Sequence, residues 1–316
     1  MPNNNPTILI TGGTGFAGSH LVEALLAIGS KNIHVTSYGS DLGFVASLIP
    51  KTNIHQINLT NFDDTKELLK KIKPQCIYHL AALAGVTASF DQLKKVINVN
   101  TEIQLSVLSA VKEIVPDARM LVIGSALEYM PQSRPLTETD VLGPVSPYGV
   151  SKVSQDMLAY SFHRQAKLDI VIARPFNHIG ERQAPGFVVP DFCLQIARIE
   201  QGKQDKIMVG NLKSIRDFSD VKDVVKAYVL LMDKGKTGEF YNIGSGSGIT
   251  IKALLDSLTA LAQVDIPVEI DQNRYRPIDV PQVIADNSKI SQLGWKPEIQ
   301  LKDTLKRTLE YYRKRL

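Results

Sequence analysis

A glycine-rich segment near the start of the chain constrains the fold more than any other feature. Residues 11–18 read TGGTGFAG, and glycines stand at positions 12, 15 and 18, directly after the β-rich run 7–11. A helical pattern continues from there to residue 28. Glycine allows a tight turn from strand to helix and lets the backbone approach a pyrophosphate, which the free N–H groups of the helix then bind. The segment therefore predicts a dinucleotide site at the start of a βαβ unit.

Short apolar runs and helical patterns alternate through the first half of the chain. The strand candidates are 32–37, 54–57, 76–79, 120–124 and 169–173, and the helix candidates are 66–72, 96–115 and 148–165. Strands separated by helices of this length are typical of a parallel sheet covered on both faces. The fold class predicted is α/β, with a doubly wound (Rossmann) sheet.

The composition and the pattern of predicted elements change after residue 174. This change predicts a smaller C-terminal α/β lobe. Residues 175–190 are rich in Gly, Pro and Asn and read as a loop, and residues 250–316 read as two or three helices with loops. Between them lie helix candidates at 191–200 and 221–232 and strand candidates at 207–209 and 239–243. The predicted dinucleotide-binding domain is 1–174 plus about 217–245, and the substrate lobe is about 175–216 plus 246–316.

The composition excludes several classes of protein. Of 316 residues, 44% are hydrophobic and 22% charged, as in ordinary globular proteins, and a net charge of +4 is too small to indicate nucleic-acid binding. No apolar run reaches the roughly 20 residues of a membrane helix, and the first residues lack a secretory pattern. The cysteines, Cys76 and Cys193, lie in apolar segments and read as buried thiols of a reducing compartment. The histidines show no metal-ligand spacing. We expect a cytoplasmic protein without metal.

A serine, a tyrosine and a lysine form the candidate catalytic set. Tyr148 and Lys152 are four residues apart in a helical pattern, so they share one face of the helix. An ammonium beside a phenol favours the phenolate and lowers its pKa, which suits proton transfer at a carbonyl or an alcohol. Ser125 follows the strand candidate 120–124 and can orient the same oxygen.

The sequence resembles the extended short-chain dehydrogenases/reductases, the NAD-dependent epimerase/dehydratase family of nucleotide-sugar enzymes. The segments that carry the resemblance are 12–18, 79–82, 98–100, 124–125, 174–178 and 216–218, together with Tyr148 and Lys152. Four later segments, 174–180, 186–192, 209–218 and 276–281, look most like the branch that acts on GDP-linked mannose derivatives. The resemblance covers nearly the whole chain and implies NAD(H) or NADP(H) as cofactor, a nucleotide-sugar substrate and a homodimer.

The resemblance also assigns residues to the two ligands. The cofactor residues it implies are Gly12, Thr14, Gly15, Phe16, Gly18, Tyr38, Asn58, Leu59, Leu80, Ala81, Ala82, Asn100, Tyr148, Lys152, Pro175 and His178. The substrate residues it implies are Ser125, Asn177, Val188, Arg216, Arg276 and Asp279. The choice between NAD and NADP stays open, because the second strand candidate ends in Ser37-Tyr38-Gly39-Ser40, without a carboxylate or an arginine.

One departure from the family pattern bears on the reaction. Dehydratases of this family carry a glutamate two positions after the catalytic hydroxyl residue, and Leu127 occupies that place here. A leucine cannot take a proton, so the sequence favours reduction of a 4-keto-6-deoxy nucleotide sugar to a GDP-rhamnose type product. Nucleotide-sugar 4-epimerisation is the main alternative. A non-catalytic dinucleotide sensor is a more distant one, because a sensor need not keep Ser125, Tyr148 and Lys152 together.

Overall fold

Strands and helices alternate along most of the chain. The structure is a computed structural model that describes residues 5–40, 42–83, 90–274 and 280–316, with the backbone alone for 90–93. The strands are β1 (Ile8–Thr11), β2 (Ile33–Ser37), β3 (Ile54–Gln56), β4 (Cys76–His79), β5 (Arg119–Ile123), β6 (Ile170–Pro175), β7 (Asn177–Ile179), β8 (Ile207–Val209), β9 (Ile215–Asp220), β10 (Phe240–Ile243), β11 (Gly248–Thr250), β12 (Val268–Ile270) and β13 (Gln282–Val283). The helices are α1 (Phe16–Ala27), α2 (Phe62–Ile72), α3 (Phe90–Ile114), α4 (Pro147–Ala166), α5 (Val188–Glu200), α6 (Val221–Lys234), α7 (Ile251–Thr259), α8 (Ser288–Ser291) and α9 (Leu301–Arg313).

A seven-stranded parallel sheet forms the centre of the molecule. Its strand order is β3-β2-β1-β4-β5-β6-β10. The register places Ile10 of β1 opposite Val35 of β2 on one side and Tyr78 of β4 on the other. The chain builds outward from β1 through β2 to β3 and then restarts at β4 on the other side of β1. This is the doubly wound order, and the reversal between β1 and β4 is where such sheets bind ligands.

Each face of the sheet is covered by helices because its strands are apolar on both sides. Successive side chains of a strand point to opposite faces. In β1, Ile8 and Ile10 pack with α1 and α6, whereas Leu9 packs with α2 and α3. The same alternation holds in β5, where Leu121 faces one core and Met120 the other. The predicted fold class is therefore confirmed.

A further apolar core lies in the C-terminal part of the chain. It is built from α5, α7 and α9 with β8, and includes Phe192, Ile196, Leu254 and Leu309. Two small sheets accompany it, one in the order β11-β9-β13 with β7 paired to β9, and one formed by β8 and β12. These elements form the smaller α/β lobe. The sequence boundaries proposed for the two domains remain a prediction.

The structure corrects the prediction of a loop over residues 175–190. The short strand β7 lies inside this segment and pairs with β9, which places Asn177 opposite Phe218. Helix α5 begins at Val188, three residues before the predicted start. Pro190 is tolerated there because the N–H groups of a first helical turn have no partner within the helix. The sequence also gave no sign of β11, β12 and β13.

Two predictions from composition can be compared with the described residues. Cys76 and Cys193 are buried free thiols, as expected. None of the described helices combines the length and the hydropathy needed to cross a bilayer.

We predict that Gly18→Ala destabilises the protein more than Gly15→Ala. A Cβ atom at position 18 would lie 2.7 Å from Cα of Gly13 and would also meet the carbonyl oxygen of Gly12, whereas one at position 15 would lie 3.2 Å from that same oxygen. Inside a helix, alanine is by itself favoured over glycine by about 1 kcal/mol. A loss of about 1–3 kcal/mol in Gly18→Ala, measured by urea unfolding without cofactor, would report this backbone clash. Equal stability of the two variants would contradict the close contact.

Candidate active site

The glycine segment forms a tight turn at the carboxyl end of β1. Gly12 adopts a φ of +68°, and its carbonyl accepts a hydrogen bond from the Gly15 N–H at 3.0 Å. A Cβ atom at position 12 would lie 3.0 Å from Cα of Ala81, so only glycine fits against the segment that follows β4. Gly15 is the N-cap of α1 and offers no side-chain cap. The N–H groups of the first helical turn are therefore available to an anionic group.

A hydrogen-bonded contact ties β1 to β4 beneath this turn. The Thr11 hydroxyl lies 2.7 Å from Nδ1 of His79 and accepts a hydrogen bond from the Ala81 N–H at 3.2 Å. Burial lowers the pKa of His79 to about 3, so the ring is neutral. Leu80, Ala81 and the following Ala82 thus lie beside the glycine turn, where the sequence predicted cofactor contacts.

Asn100 packs against this segment. It is fully buried, and its side-chain oxygen accepts the Leu83 N–H at 2.7 Å. Its amide donates to the Leu83 carbonyl at 3.2 Å and to the Ser151 hydroxyl at 3.0 Å. The structure therefore gives Asn100 a positioning contact, in which it joins the segment after β4 to α4.

Ser125, Tyr148 and Lys152 meet near the carboxyl end of β5. Lys152 donates from Nζ to the carbonyl of Ile123 at 2.8 Å and to Oε1 of Gln155 at 2.8 Å. The same Nζ lies 5.9 Å from the ring centre of Tyr148. The Ser125 hydroxyl accepts the Leu127 N–H at 3.1 Å, and its own proton has no acceptor among the residues that the structure describes.

The direction of the pKa shift at Tyr148 differs from the prediction. Burial raises the pKa of Tyr148, and burial also lowers the pKa of Lys152 to about 8. The expectation that Lys152 lowers the pKa of Tyr148 is not met in this structure, because loss of hydration dominates at both groups. Tyr148 is thus a neutral phenol, the form that can donate a proton to an oxyanion.

The predicted adenosine contacts lie at the ends of β2 and β3. Tyr38 follows β2 and is 79% exposed, so its ring can cover a flat ligand. The Ser37 hydroxyl donates to the Gly39 carbonyl and accepts from Thr14. Asn58 accepts hydrogen bonds from the N–H and the hydroxyl of Thr60, and the neighbouring Leu59 is buried.

His178 lies against the first turn of α1. Its ring stacks on Phe16 with 5.7 Å between ring centres and 7° between planes. Nδ1 lies 3.0 Å from the Phe176 carbonyl. A carbonyl only accepts, so Nδ1 carries the proton, and because burial lowers the pKa of His178, Nε2 is left as an acceptor. Pro175 ends β6 beside this ring.

The predicted substrate residues are only partly described. Asn177 donates to the Asp217 carbonyl at 3.2 Å, and Arg216 donates to the Ile215 carbonyl at 2.8 Å. Val188 is half-buried at the first position of α5. Arg276 and Asp279 lie outside the described residues.

Two buried carboxylates that organise the site were missed by sequence reasoning. Asp217 accepts hydrogen bonds from the Ser245 N–H and hydroxyl, from the Gly246 N–H and from the Ala285 N–H. Asp156, four residues after Lys152 on α4, is fully buried beside Arg174. The spacing from Lys152 is the available signal for Asp156, and Asp217 stands in the segment 216–218 that carries the family resemblance, which by itself does not indicate its role.

Among the described residues, no group of three or more His, Cys, Asp or Glu side chains is placed to hold a metal ion.

Comparison with known proteins identifies the relatives of this chain. A family profile described as GDP-mannose 4,6 dehydratase matches residues 9–308. The GDP-6-deoxy-D-mannose reductase of Pseudomonas aeruginosa is 30% identical, with 98% of both chains covered. The structure of RMD from Pseudomonas aeruginosa complexed with NADPH superposes with a TM-score of 0.85 at 30% identity, covering 98% of this chain and 100% of that chain. The UDP-glucose 4-epimerase of Thermotoga maritima, solved with UDP-glucose, gives a TM-score of 0.86 at 29% identity, covering 98% and 99%.

Proposed function

Since the chain belongs to the GDP-mannose 4,6 dehydratase family and is thus an NAD(P)-dependent nucleotide-sugar oxidoreductase of the extended short-chain dehydrogenase/reductase type, we propose that it reduces a GDP-linked 4-keto-6-deoxy sugar. The product would be of the GDP-rhamnose type. The observation that carries the proposal is the environment of Leu127 and Glu128. Leu127 stands where the dehydratases of the family have their base, and the Glu128 carboxyl is fully buried and accepts the Ser125 N–H at 2.6 Å. Neither can take a proton from a sugar.

The residues present fit a nicotinamide dinucleotide. Gly12 is held closely against Ala81 in a tight turn, and α1 begins at Gly15 without a side-chain cap, so the N–H groups of its first turn can bind a pyrophosphate. Gly12, Thr14 and Gly15 would hold the phosphates, and Tyr38 the adenosine end. His178, stacked on Phe16, would border the nicotinamide end. When bound, the reduced cofactor supplies the hydride that C4 of the sugar accepts.

The proton comes from the chain itself. Tyr148 donates its phenolic proton to the C4 oxygen as that oxygen gains negative charge. The Ser125 hydroxyl donates a hydrogen bond to the same oxygen and orients it. Lys152, held by the Ile123 carbonyl, provides positive charge beside the resulting phenolate, which then regains a proton from solvent. The hydride and the proton together convert the ketone to an alcohol.

Two observations support the proposal that the substrate carries GDP: the names of the relatives and the segment 276–281. The reductase of Pseudomonas aeruginosa is named for a GDP sugar. Arg276 would bind phosphate, and Asp279 would accept hydrogen bonds from guanine or ribose. Arg216 and Asn177 would contact the sugar or the phosphates. Either NADH or NADPH is compatible with the proposal, and one structural relative was solved with NADPH.

Epimerisation is the second candidate, and the similarity to the UDP-glucose 4-epimerase favours it. An epimerase would oxidise and then reduce the same carbon and would retain its cofactor throughout. The same Ser125, Tyr148 and Lys152 would serve both reactions. The two candidates therefore differ in whether cofactor is consumed in a one-to-one ratio with substrate.

We further propose a cytoplasmic homodimer. Exposed apolar side chains lie on adjacent helices α3 and α4, at Leu105, Val150, Met157 and Tyr160. The two buried free thiols fit a reducing compartment. Light scattering that gives the mass of a single chain at micromolar concentration would contradict the dimer.

The decisive assay mixes the protein with GDP-4-keto-6-deoxymannose and NADH or NADPH. We expect one equivalent of cofactor to be oxidised for each sugar reduced. Absorbance measures the oxidation of the cofactor, and mass spectrometry measures the reduction of the sugar. With GDP-mannose and oxidised cofactor we expect no loss of water. A dehydrated product would contradict the role given to Leu127, and conversion of UDP-glucose without net cofactor oxidation would favour the epimerase.

We predict that Tyr148→Phe lowers kcat by about 10²–10⁴-fold, because the ring remains while the transferable proton is lost. Cofactor affinity, measured by fluorescence titration, should stay within a few-fold of the wild type. Tyr160→Phe is the matched control, since Tyr160 lies on the same helix but is exposed. Normal turnover by Tyr148→Phe would exclude Tyr148 as the acid.

We predict that Asp279→Asn weakens GDP binding more than UDP binding, because a carboxylate that accepts guanine N–H groups is selective. The expected loss for GDP is about 10- to 100-fold, from one charge-assisted hydrogen bond. Arg276→Ala should weaken both nucleotides, since both carry a diphosphate. Calorimetric titration of the two nucleotides checks the prediction. Equal losses for GDP and UDP in Asp279→Asn would exclude guanine recognition by this residue.

A further inference from the structure

A buried cluster of three charged side chains lies behind Ser125 and Lys152. Glu128 and Asp156 are fully buried, and Arg174 of β6 is 2% exposed. Nε of Arg174 lies 2.9 Å from Oδ2 of Asp156 and 3.2 Å from Oε2 of Glu128. A single guanidinium thus faces two carboxyl groups in a place that water does not reach.

Gly124 brings the two carboxyl groups together. A Cβ atom at position 124 would lie 2.6 Å from Oδ1 of Asp156 and 2.6 Å from Oε1 of Glu128. Both carboxyl groups therefore press against the same point of the backbone, directly before Ser125. Two carboxylates this close repel each other strongly at low dielectric, which favours the protonated form of one of them. The other nearby cation, Lys152, donates from Nζ to the Ile123 carbonyl and to Gln155.

Each carboxyl group also has one oxygen that accepts no hydrogen bond from the described residues, although Oε2 of Glu128 lies within ion-pair distance of Arg174. Oε1 of Glu128 accepts the Ser125 N–H, and Oδ2 of Asp156 accepts Nε of Arg174. Oε2 of Glu128 and Oδ1 of Asp156 are buried and receive no hydrogen bond from the described residues. A buried acceptor without a donor costs free energy, and one proton placed between the two groups satisfies both.

We propose that Glu128 is a positioning residue that stays protonated at neutral pH, shares this proton with Asp156, and thereby fixes Ser125 to helix α4. The link runs from the Ser125 N–H to Glu128, from Glu128 to Asp156, and along one helical turn from Asp156 to Lys152. It joins the two segments that carry the proton-transfer groups. Only the activity test of this inference rests on the proposed function.

The electrostatic surroundings support a neutral Glu128. Burial and the adjacent Asp156 raise the pKa of Glu128 well above its usual range, and Arg174 opposes this only in part. Asp156 opposes the effect of burial on the pKa of Lys152. The charged and titratable groups that face Glu128 are Asp156, Lys152 and Tyr148 on α4, Arg174 on β6 and Tyr129 in its own segment.

Infrared difference spectroscopy tests the protonation directly and needs no substrate. Wild-type protein at pH 7 should show the carbonyl stretch of a neutral carboxylic acid, and Glu128→Gln should lose it. Glu67→Gln is the matched control, because the pKa of this exposed carboxyl is lowered by a hydrogen bond from Lys70, so it is ionised. Absence of the band in the wild type, or its persistence in Glu128→Gln, would overturn the proposal.

The pH dependence of stability gives a second test. A carboxyl group whose pKa is higher in the folded state than the roughly 4.3 of the unfolded chain binds more protons when folded. Its contribution to the free energy of unfolding is therefore largest in acid and falls as pH rises from about 4.3 towards the folded pKa. Glu128→Gln should lose this fall, and Glu67→Gln should keep it. An unchanged slope in Glu128→Gln would count against a neutral Glu128.

Activity separates positioning from bulk stability. Glu128→Ala should lower kcat by about 10- to 100-fold with little change in KM, because Ser125 shifts relative to Tyr148. Glu128→Gln should recover most of the loss, since its amide still accepts the Ser125 N–H and can donate to Asp156. Equal kcat in both variants would overturn the positioning role. If the wild type does not turn over the proposed substrate, the proposed function fails, while the infrared and stability tests still decide the state of Glu128.

Discussion

The close approach of β1 and β4 at their carboxyl ends sets the geometry of the whole site. At this point the strand order reverses, so the chain leaves β1 through the glycine turn and leaves β4 through residues 80–83, with nothing between them. The contact is so tight that Gly12 has no room for a Cβ atom against Ala81. A neutral His79 and Thr11 hold the two strands beneath it. A side chain at Gly12 would move the turn that has to meet a pyrophosphate.

Burial, more than pairing, sets the charge at the catalytic residues. Tyr148 and Lys152 both lose hydration, and each is driven towards its neutral form. For a reductase this suits the first step, because the phenol must still hold its proton when the alkoxide forms. Lys152 keeps its place through the Ile123 carbonyl and Gln155, so its position does not depend on a charged tyrosine. Positive charge becomes valuable only after the proton has left Tyr148.

The large sheet could be predicted from the sequence, and the candidate catalytic residues Ser125, Tyr148 and Lys152 could be proposed from it, because both depend on local patterns. Apolar alternation, the glycine turn and the four-residue spacing of Tyr148 and Lys152 are visible within short windows. The strands β7 and β13 are not, since each is defined by pairing with the distant β9. The raised pKa of Tyr148 follows from burial, which no local pattern gives. Asp217 gathers donors from residues 245, 246 and 285, and this convergence appears only in three dimensions.

The one-residue difference between positions 127 and 128 supports the prediction that this chain does not eliminate water, although it belongs to a dehydratase family and keeps a glutamate nearby. Residues 126–128 form a 3₁₀ turn, in which successive side chains point about 120° apart, so Leu127 and Glu128 face different directions. The glutamate at 128 therefore turns back to the Ser125 N–H, and Leu127 is left at the position of the base. The Glu128 carboxyl group accepts a hydrogen bond from the backbone instead of acting on the sugar. Oxidation and reduction at C4 need only Ser125, Tyr148 and Lys152 with the cofactor, whereas elimination of water needs a base, and Leu127 cannot serve as one.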